Sequence, residues 1–174
     1  CSKLLDEFYA MAYYRSQRLP MTVVRFFNTV GPRQTGRYGM VLPRFVQHAL
    51  ANAPLQVYGD GRQSRCFCHV ADTVSALLGF TQPERIAAAA GRVFNIGSTE
   101  EVAIGDLAAK VISRAGSSSP IVRVPYEKAY EEGFEDMRRR YPDTTAVEQL
   151  LGWRPQHSLE QIIDDVIAYY RARS

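Results

Sequence analysis

Residues 25–33 read Arg25-Phe26-Phe27-Asn28-Thr29-Val30-Gly31-Pro32-Arg33. The apolar run that leads into them, residues 21–27, has the length and composition of a buried strand. It stops at a polar residue, Asn28, and at a Gly31-Pro32 pair that marks a turn. In open α/β sheets, ligands gather at the carboxyl ends of strands and in the loops that follow. A carboxamide there can donate and accept at once, so Asn28 is a candidate ligand contact. Its alternative role is to satisfy backbone groups at the strand end.

Upstream, residues 3–17 carry Leu4, Phe8, Met11 and Ala12 on one helical face, with Tyr9 and Tyr13 beside them, and Pro20 closes the segment. Downstream, residues 31–39 read as a loop and residues 41–51 as a helix with Pro43 in its first turn. Residues 55–58 form a short strand, followed by a Gly59-Asp60-Gly61 turn. Residues 64–70 alternate as one strand, with Arg65, Phe67 and His69 on one face and Ser64, Cys66, Cys68 and Val70 on the other. Asp72 is placed to cap a helix reaching about Phe80.

Further strands are expected at residues 93–96 and 121–125. Ile104, Leu107, Ala108, Val111, Ile112 and Ala115 mark an amphipathic helix that Gly116 ends. Asp143 can cap a helix that stops at Gly152. Ser158-Leu159-Glu160-Gln161 is a capping-box pattern opening the last helix. Strands and helices interleave throughout, which argues an α/β fold. Residues 126–142 are the exception: charged, aromatic and aperiodic, with Arg138, Arg139 and Arg140 in a row. Long irregular stretches inside compact domains are often functional.

With 174 residues, 46% of them hydrophobic, the chain can bury one core, or one core plus a small lobe. A net charge of +3 is not the footprint of a nucleic-acid binder. Three cysteines make no disulfide framework, and a reduced, cytoplasmic setting is expected. No apolar run approaches the ~20 residues of a membrane span. His48, His69 and His157 show no metal-ligand spacing, so no metal is expected.

Arg65 and the arginine triplet come from separate segments. Two converging guanidinium groups suit a diphosphate, because their planar forks match phosphate oxygens. Tyr58 can stack on a base or sugar. The alternatives are a surface ion pair for Arg65 and a solvated face for the triplet.

Taken in order, these segments resemble the extended short-chain dehydrogenase/reductase family, specifically its NAD-dependent nucleotide-sugar epimerases, dehydratases and decarboxylases. The markers are Ser2-Lys3 heading a helix, residues 25–33, and Val57-Tyr58-Gly59-Asp60-Gly61. Arg65-Cys66-Phe67-Cys68-His69-Val70 follows with Asp72, then Phe94-Asn95-Ile96-Gly97, Arg140-Tyr141-Pro142-Asp143 and Leu151-Gly152-Trp153-Arg154-Pro155. The resemblance covers essentially the whole chain.

It implies the C-terminal part of a Rossmann-type doubly wound sheet plus a small mixed α/β substrate-binding lobe. Residues 1–30 would end the dinucleotide-binding domain, residues 92–97 would return to its sheet, and residues 31–174 would be mostly nucleotide-sugar lobe. The chain opens inside a helix-like pattern without an initiator Met and reads as the C-terminal half of a longer protein. Lys3 matches the lysine of the family's Tyr-x-x-x-Lys motif, whose tyrosine would precede Cys1 by two residues.

Lys3 would hold the nicotinamide ribose of NAD and depress the pKa of that tyrosine. Asn28 would touch the substrate diphosphate or sugar. Val41 and Leu42 would line the nucleotide pocket, Tyr58 would sit near the base, and Arg65 and Arg140 would clamp the diphosphate. The implied reaction oxidises C4 of a UDP-sugar transiently. Return of the hydride to the opposite face, an epimerisation, is the first expectation. Decarboxylation of UDP-glucuronate and NDP-sugar dehydration are alternatives within the family, and a non-catalytic NAD(P)-binding member is a further one. Residues 126–143, with Phe134-Glu135-Asp136-Met137-Arg138-Arg139-Arg140, resemble the epimerase and decarboxylase branches more than the dehydratases. The segment alone is expected to be inactive, and the helix at residues 3–17 is expected to join two copies as a homodimer.

Overall fold

The computed structural model describes residues 2–36, 40–126 and 137–173. Helix α1 (Ser2–Gln17) leads into strand β1 (Thr22–Phe26), which pairs in parallel with β6 (Arg92–Ile96), Phe26 opposite Ile96. The expected strand at residues 21–27 is there, but it is not buried: Thr22, Val23 and Val24 are half-buried, and Arg25 and Phe26 are exposed. Among the described residues β1 has a strand neighbour on one side only, and α1 buries no side chain against it.

Past Phe27 the chain continues into a two-residue strand absent from the sequence reading, β2 (Thr29–Val30), paired in parallel with β5 (Cys68–His69). Helix α2 (Val41–Leu50) and strand β3 (Leu55–Tyr58) follow, and β3 pairs with β8 (Ile121–Val124). Strand β4 (Ser64–Cys66) is the centre of a three-stranded sheet, antiparallel to β7 (Glu101–Ala103) and parallel to β9 (Arg139–Arg140).

The single alternating strand expected at residues 64–70 is therefore two strands in two sheets. Cys66, Phe67, Cys68 and His69 are all buried and Val70 is exposed, so the alternation fails. The break has a local cause. Asn28 Nδ2 donates to the Cys66 carbonyl at 2.9 Å, and Cys68 N donates to the Asn28 carbonyl at 3.2 Å. Asn28 thus sits at the point where the chain leaves β4 for β5. Both cysteines are free, and burial pushes each thiol pKa up to about 11.

Helix α3 (Val70–Phe80) begins two residues before the expected cap at Asp72. Its N-cap is His69, whose Nδ1 accepts from Ala71 N at 3.1 Å. Asp72 lies inside the first turn and is buried, holding His157 through both its backbone N (3.1 Å) and its ring Nδ1 (2.9 Å). The two imidazoles stack with centroids 4.2 Å apart.

Helix α4 (Pro83–Ala89), like β7, carries no periodic signal long enough to read from sequence. Helix α5 (Ile104–Ala115) ends at Gly116 in the left-handed conformation (φ 61°), as expected. Helix α6 (Thr145–Leu151) ends likewise at Gly152, and Asp143 accepts from Thr145 N at 3.0 Å. Helix α7 (Leu159–Arg171) opens on the full Ser158–Gln161 capping box. Of the aperiodic residues 126–142, residues 127–136 lie outside the described residues, as do residues 37–39 of the expected loop.

Two apolar cores result. The larger gathers α2, β3, α5 and α7 around Leu42, Val46, Leu107 and Ile163, all fully buried. The smaller surrounds Phe94 and Ile96 of β6 with Ala76 and Phe80 of α3 and Val147 of α6. The Asp72–His157 contact ties α3, in the smaller core, to the segment entering α7, in the larger.

Candidate functional site

One cavity of about 470 Å³ opens where β2, α2, β3 and β4 meet. Five of the seven residues singled out from sequence line it: Asn28, Val41, Leu42, Tyr58 and Arg65. Each reaches it for a local reason. Asn28 adopts a positive φ of 36°, a conformation asparagine tolerates better than most residues, and this turns the chain from β1 into β2. One of its two amide hydrogens goes to the Cys66 carbonyl. The backbone-satisfying role and the cavity-lining role thus coexist.

Val41 and Leu42 form the first turn of α2. Tyr58 ends β3, and the Gly59–Gly61 turn, with both glycines at positive φ, brings the chain back as β4 with Arg65 facing the same cavity. Arg65 Nη1 donates to the carbonyls of Ser64 (2.7 Å) and Met137 (2.8 Å).

Arg140 does not line the cavity but stands next to it. It is the register partner of Arg65 across β4 and β9, and its guanidinium lies 5.2 Å from the ring centroid of Phe27, the residue before Asn28. Lys3 is apart from this group, near the start of α1, with its side chain 94% exposed and its ammonium 3.6 Å from Asp6.

The cavity also has residues that sequence reasoning missed, among them Gln34, His48, Gln56 and Gln63. Gln63 is buried and donates to the Tyr58 carbonyl at 2.9 Å, closing the β3–β4 turn. The sequence signal that would have found it is its place between Gly61 and Arg65. Gln34 donates to the Thr29 carbonyl at 3.0 Å, and Tyr170 of α7 donates to the Gln34 carbonyl at 2.8 Å. The cavity thus combines an apolar wall from α2, the Tyr58 ring, amides and two arginines, Arg65 and Arg44, with a third, Arg140, alongside. This composition suits a nucleoside diphosphate better than a free ion.

Residues 1–166 match the GDP-mannose 4,6 dehydratase family. The chain belongs to that family. A UDP-N-acetyl-alpha-D-glucosaminuronate decarboxylase from Bacillus cytotoxicus is 41% identical over 97% of this chain and 51% of its own length. Among solved structures, a UDP-glucose 4-epimerase from Thermotoga maritima with UDP-glucose is 29% identical. Its TM-score is 0.84, and the match spans 96% of this chain and 51% of that one. A dTDP-glucose 4,6-dehydratase from Bacillus anthracis in complex with NAD is 26% identical with a TM-score of 0.81, over 95% and 49% of the two chains. The fold of this family member is thus that of the Rossmann-type epimerases and dehydratases. The chain spans about half the length of each of these three proteins. Among the described residues, no helix is long and apolar enough to cross a membrane.

Proposed function

We propose that the full-length protein carrying this segment is an NAD-dependent decarboxylase of a UDP-hexuronate. The observation that carries this reading is the 41% identity, over 97% of the chain, with a decarboxylase of that substrate class. The sequence reading placed epimerisation first and decarboxylation second; that identity reverses the order. Epimerisation at C4 of a UDP-sugar stays as the second reading, favoured by the structural likeness to the UDP-glucose-bound epimerase.

Under this proposal α2 and Tyr58 hold the uridine side of the ligand, with Val41 and Leu42 walling it off from water. Arg65 and Arg140 neutralise the diphosphate from two adjacent strands, their planar forks matching phosphate oxygens. Asn28 bonds the diphosphate or the sugar at the end of β1. Anchoring by the nucleotide leaves the sugar to be oriented for reaction.

Lys3 suits contact with a dinucleotide. Its exposed ammonium is paired only loosely, with Asp6 at 3.6 Å, and can donate to ribose hydroxyls. NAD, when bound, would supply oxidation at sugar C4 and the later re-reduction, between which the C5 carboxylate is lost as carbon dioxide. Residues 1–30 with 92–97 would complete a dinucleotide domain, and most of the remainder would form the nucleotide-sugar lobe. The parent protein is proposed to pair as a homodimer through α1, whose Leu4, Leu5, Phe8 and Tyr9 are each more than half exposed.

The test is to incubate the full-length protein with NAD and, separately, UDP-glucuronate, its N-acetylglucosamine analogue and UDP-glucose. Carbon dioxide and a UDP-pentose from one of the uronates is the expected result. An epimer formed with no carbon dioxide contradicts the decarboxylase and establishes the second reading.

A further inference from the structure

Strand alternation sorts the charges of the β7–β4–β9 sheet onto two faces. Successive side chains point to opposite sides, and register partners share a side. Arg65, opposite Arg140 on β9 and Val102 on β7, therefore defines one face. Ser64, Arg139 and Glu101 share the other, where the Glu101 carboxylate accepts from Ser64 Oγ and from Arg139. That second face binds no substrate in the account above.

On the front face two arginines, Arg65 and Arg140, are register partners on neighbouring strands. Like charges in that relation oppose pairing. The strand that must resist them, β9, is two residues long. Beside the strand pairing, β4 also holds the residues just before β9: Ser64 N donates to the Arg138 carbonyl at 2.8 Å, and Arg65 Nη1 to the Met137 carbonyl at 2.8 Å.

On the rear face Glu101 spans all three strands. From β7 it accepts the Ser64 hydroxyl of β4, and it grips Arg139 of β9 through Nε (3.0 and 3.1 Å) and Nη2 (2.9 Å). The Arg139 guanidinium is steadied further by the Tyr141 ring, 4.9 Å from its centroid.

We propose that Glu101 is a positioning residue for substrate binding: through Arg139 it holds β9 in register against β4, so that Arg140 stays beside Arg65 and the two can converge on one diphosphate. The proposal rests on the reading of Arg65 and Arg140 as diphosphate ligands. The Glu101–Arg139 pair is largely exposed, with side chains 29% and 65% accessible. Exposed pairs contribute little to global stability. Its loss is therefore read in ligand affinity rather than in thermal unfolding.

The experiment titrates UDP into the full-length protein and its variants calorimetrically, with NAD affinity and thermal unfolding followed in parallel. Glu101→Ala and Arg139→Ala should each weaken UDP binding by about two- to fivefold. NAD binding and the melting temperature should stay as in the wild type. The double variant should lose no more than either single one, since the two side chains act as a unit. The charge-exchanged pair Glu101→Arg with Arg139→Glu should recover most of the affinity. In turnover, Glu101→Ala should raise KM for the nucleotide sugar with little change in kcat. If Glu101→Ala binds UDP normally while Arg140→Ala does not, the positioning role is overturned and the clamp stands. If Arg65→Ala and Arg140→Ala also bind UDP normally, the clamp is overturned, and the positioning role with it.

Discussion

At the scale of single residues, His69 does a job that only one of its protonation states allows. Its Nδ1 accepts the Ala71 N–H and so caps α3, which requires that nitrogen to be unprotonated. The ring is buried and stacked on His157, with its Nε2 3.4 Å from Asp165 and Asp72 close by through His157. Burial, and then the charge of a protonated His157, hold the His69 pKa below its ordinary 6.5; Asp165 and Asp72 act in the opposite sense. A histidine with a lowered folded pKa binds more protons when unfolded. Its contribution to stability is thus complete above about pH 6.5 and is lost as pH falls from there toward the folded value. Denaturant midpoints measured between pH 8 and pH 5 should fall more steeply for the wild type than for His69→Asn, which keeps an N-cap acceptor without the titration. Parallel curves would refute this account of His69. Asn28 shows the same limit of sequence reading. Its place at a strand end was legible, but its bond to Cys66, 38 residues away, was not.

At the scale of elements, the β3–β4 turn controls the cavity, because it carries Tyr58, Gln63 and Arg65. Gly61 makes the turn possible: its φ is +73°, and an added Cβ would lie 2.9 Å from Val57 Cγ1. Gly61→Ala should lower unfolding free energy by about 1–3 kcal/mol and weaken UDP binding as well, as denaturant titration and calorimetry would show. Unchanged stability would mean that the turn relaxes freely. The long amphipathic elements, α2, α5 and α7, were legible because periodicity and caps agree there. The short ones, β2, β7 and β9, were not. Two- and three-residue strands have no period of their own and exist through partners distant in sequence. The break between β4 and β5 was hidden for the same reason: residues 64–70 alternate well enough to read as one strand, and only pairing with two different sheets divides them.

At the scale of the whole molecule, two cores are linked by the Asp72–His157 contact, and the cavity lies against the larger one. Five of the seven residues chosen from sequence line one cavity, and a sixth, Arg140, pairs in register with one of them. The exposed apolar face of α1 should make the full-length protein dimeric. Light scattering should give twice the monomer mass, and Phe8→Asp should shift it to monomer; a monomeric wild type would contradict the pairing. The central claim is that this segment holds a UDP-hexuronate for decarboxylation. The most direct measurement is carbon dioxide release from carboxyl-labelled UDP-glucuronate and its N-acetylglucosamine analogue, by full-length protein with NAD. The account predicts labelled carbon dioxide in step with a UDP-pentose from one of the two, abolished in Arg65→Ala with Arg140→Ala. A C4 epimer that keeps all of its label would contradict it.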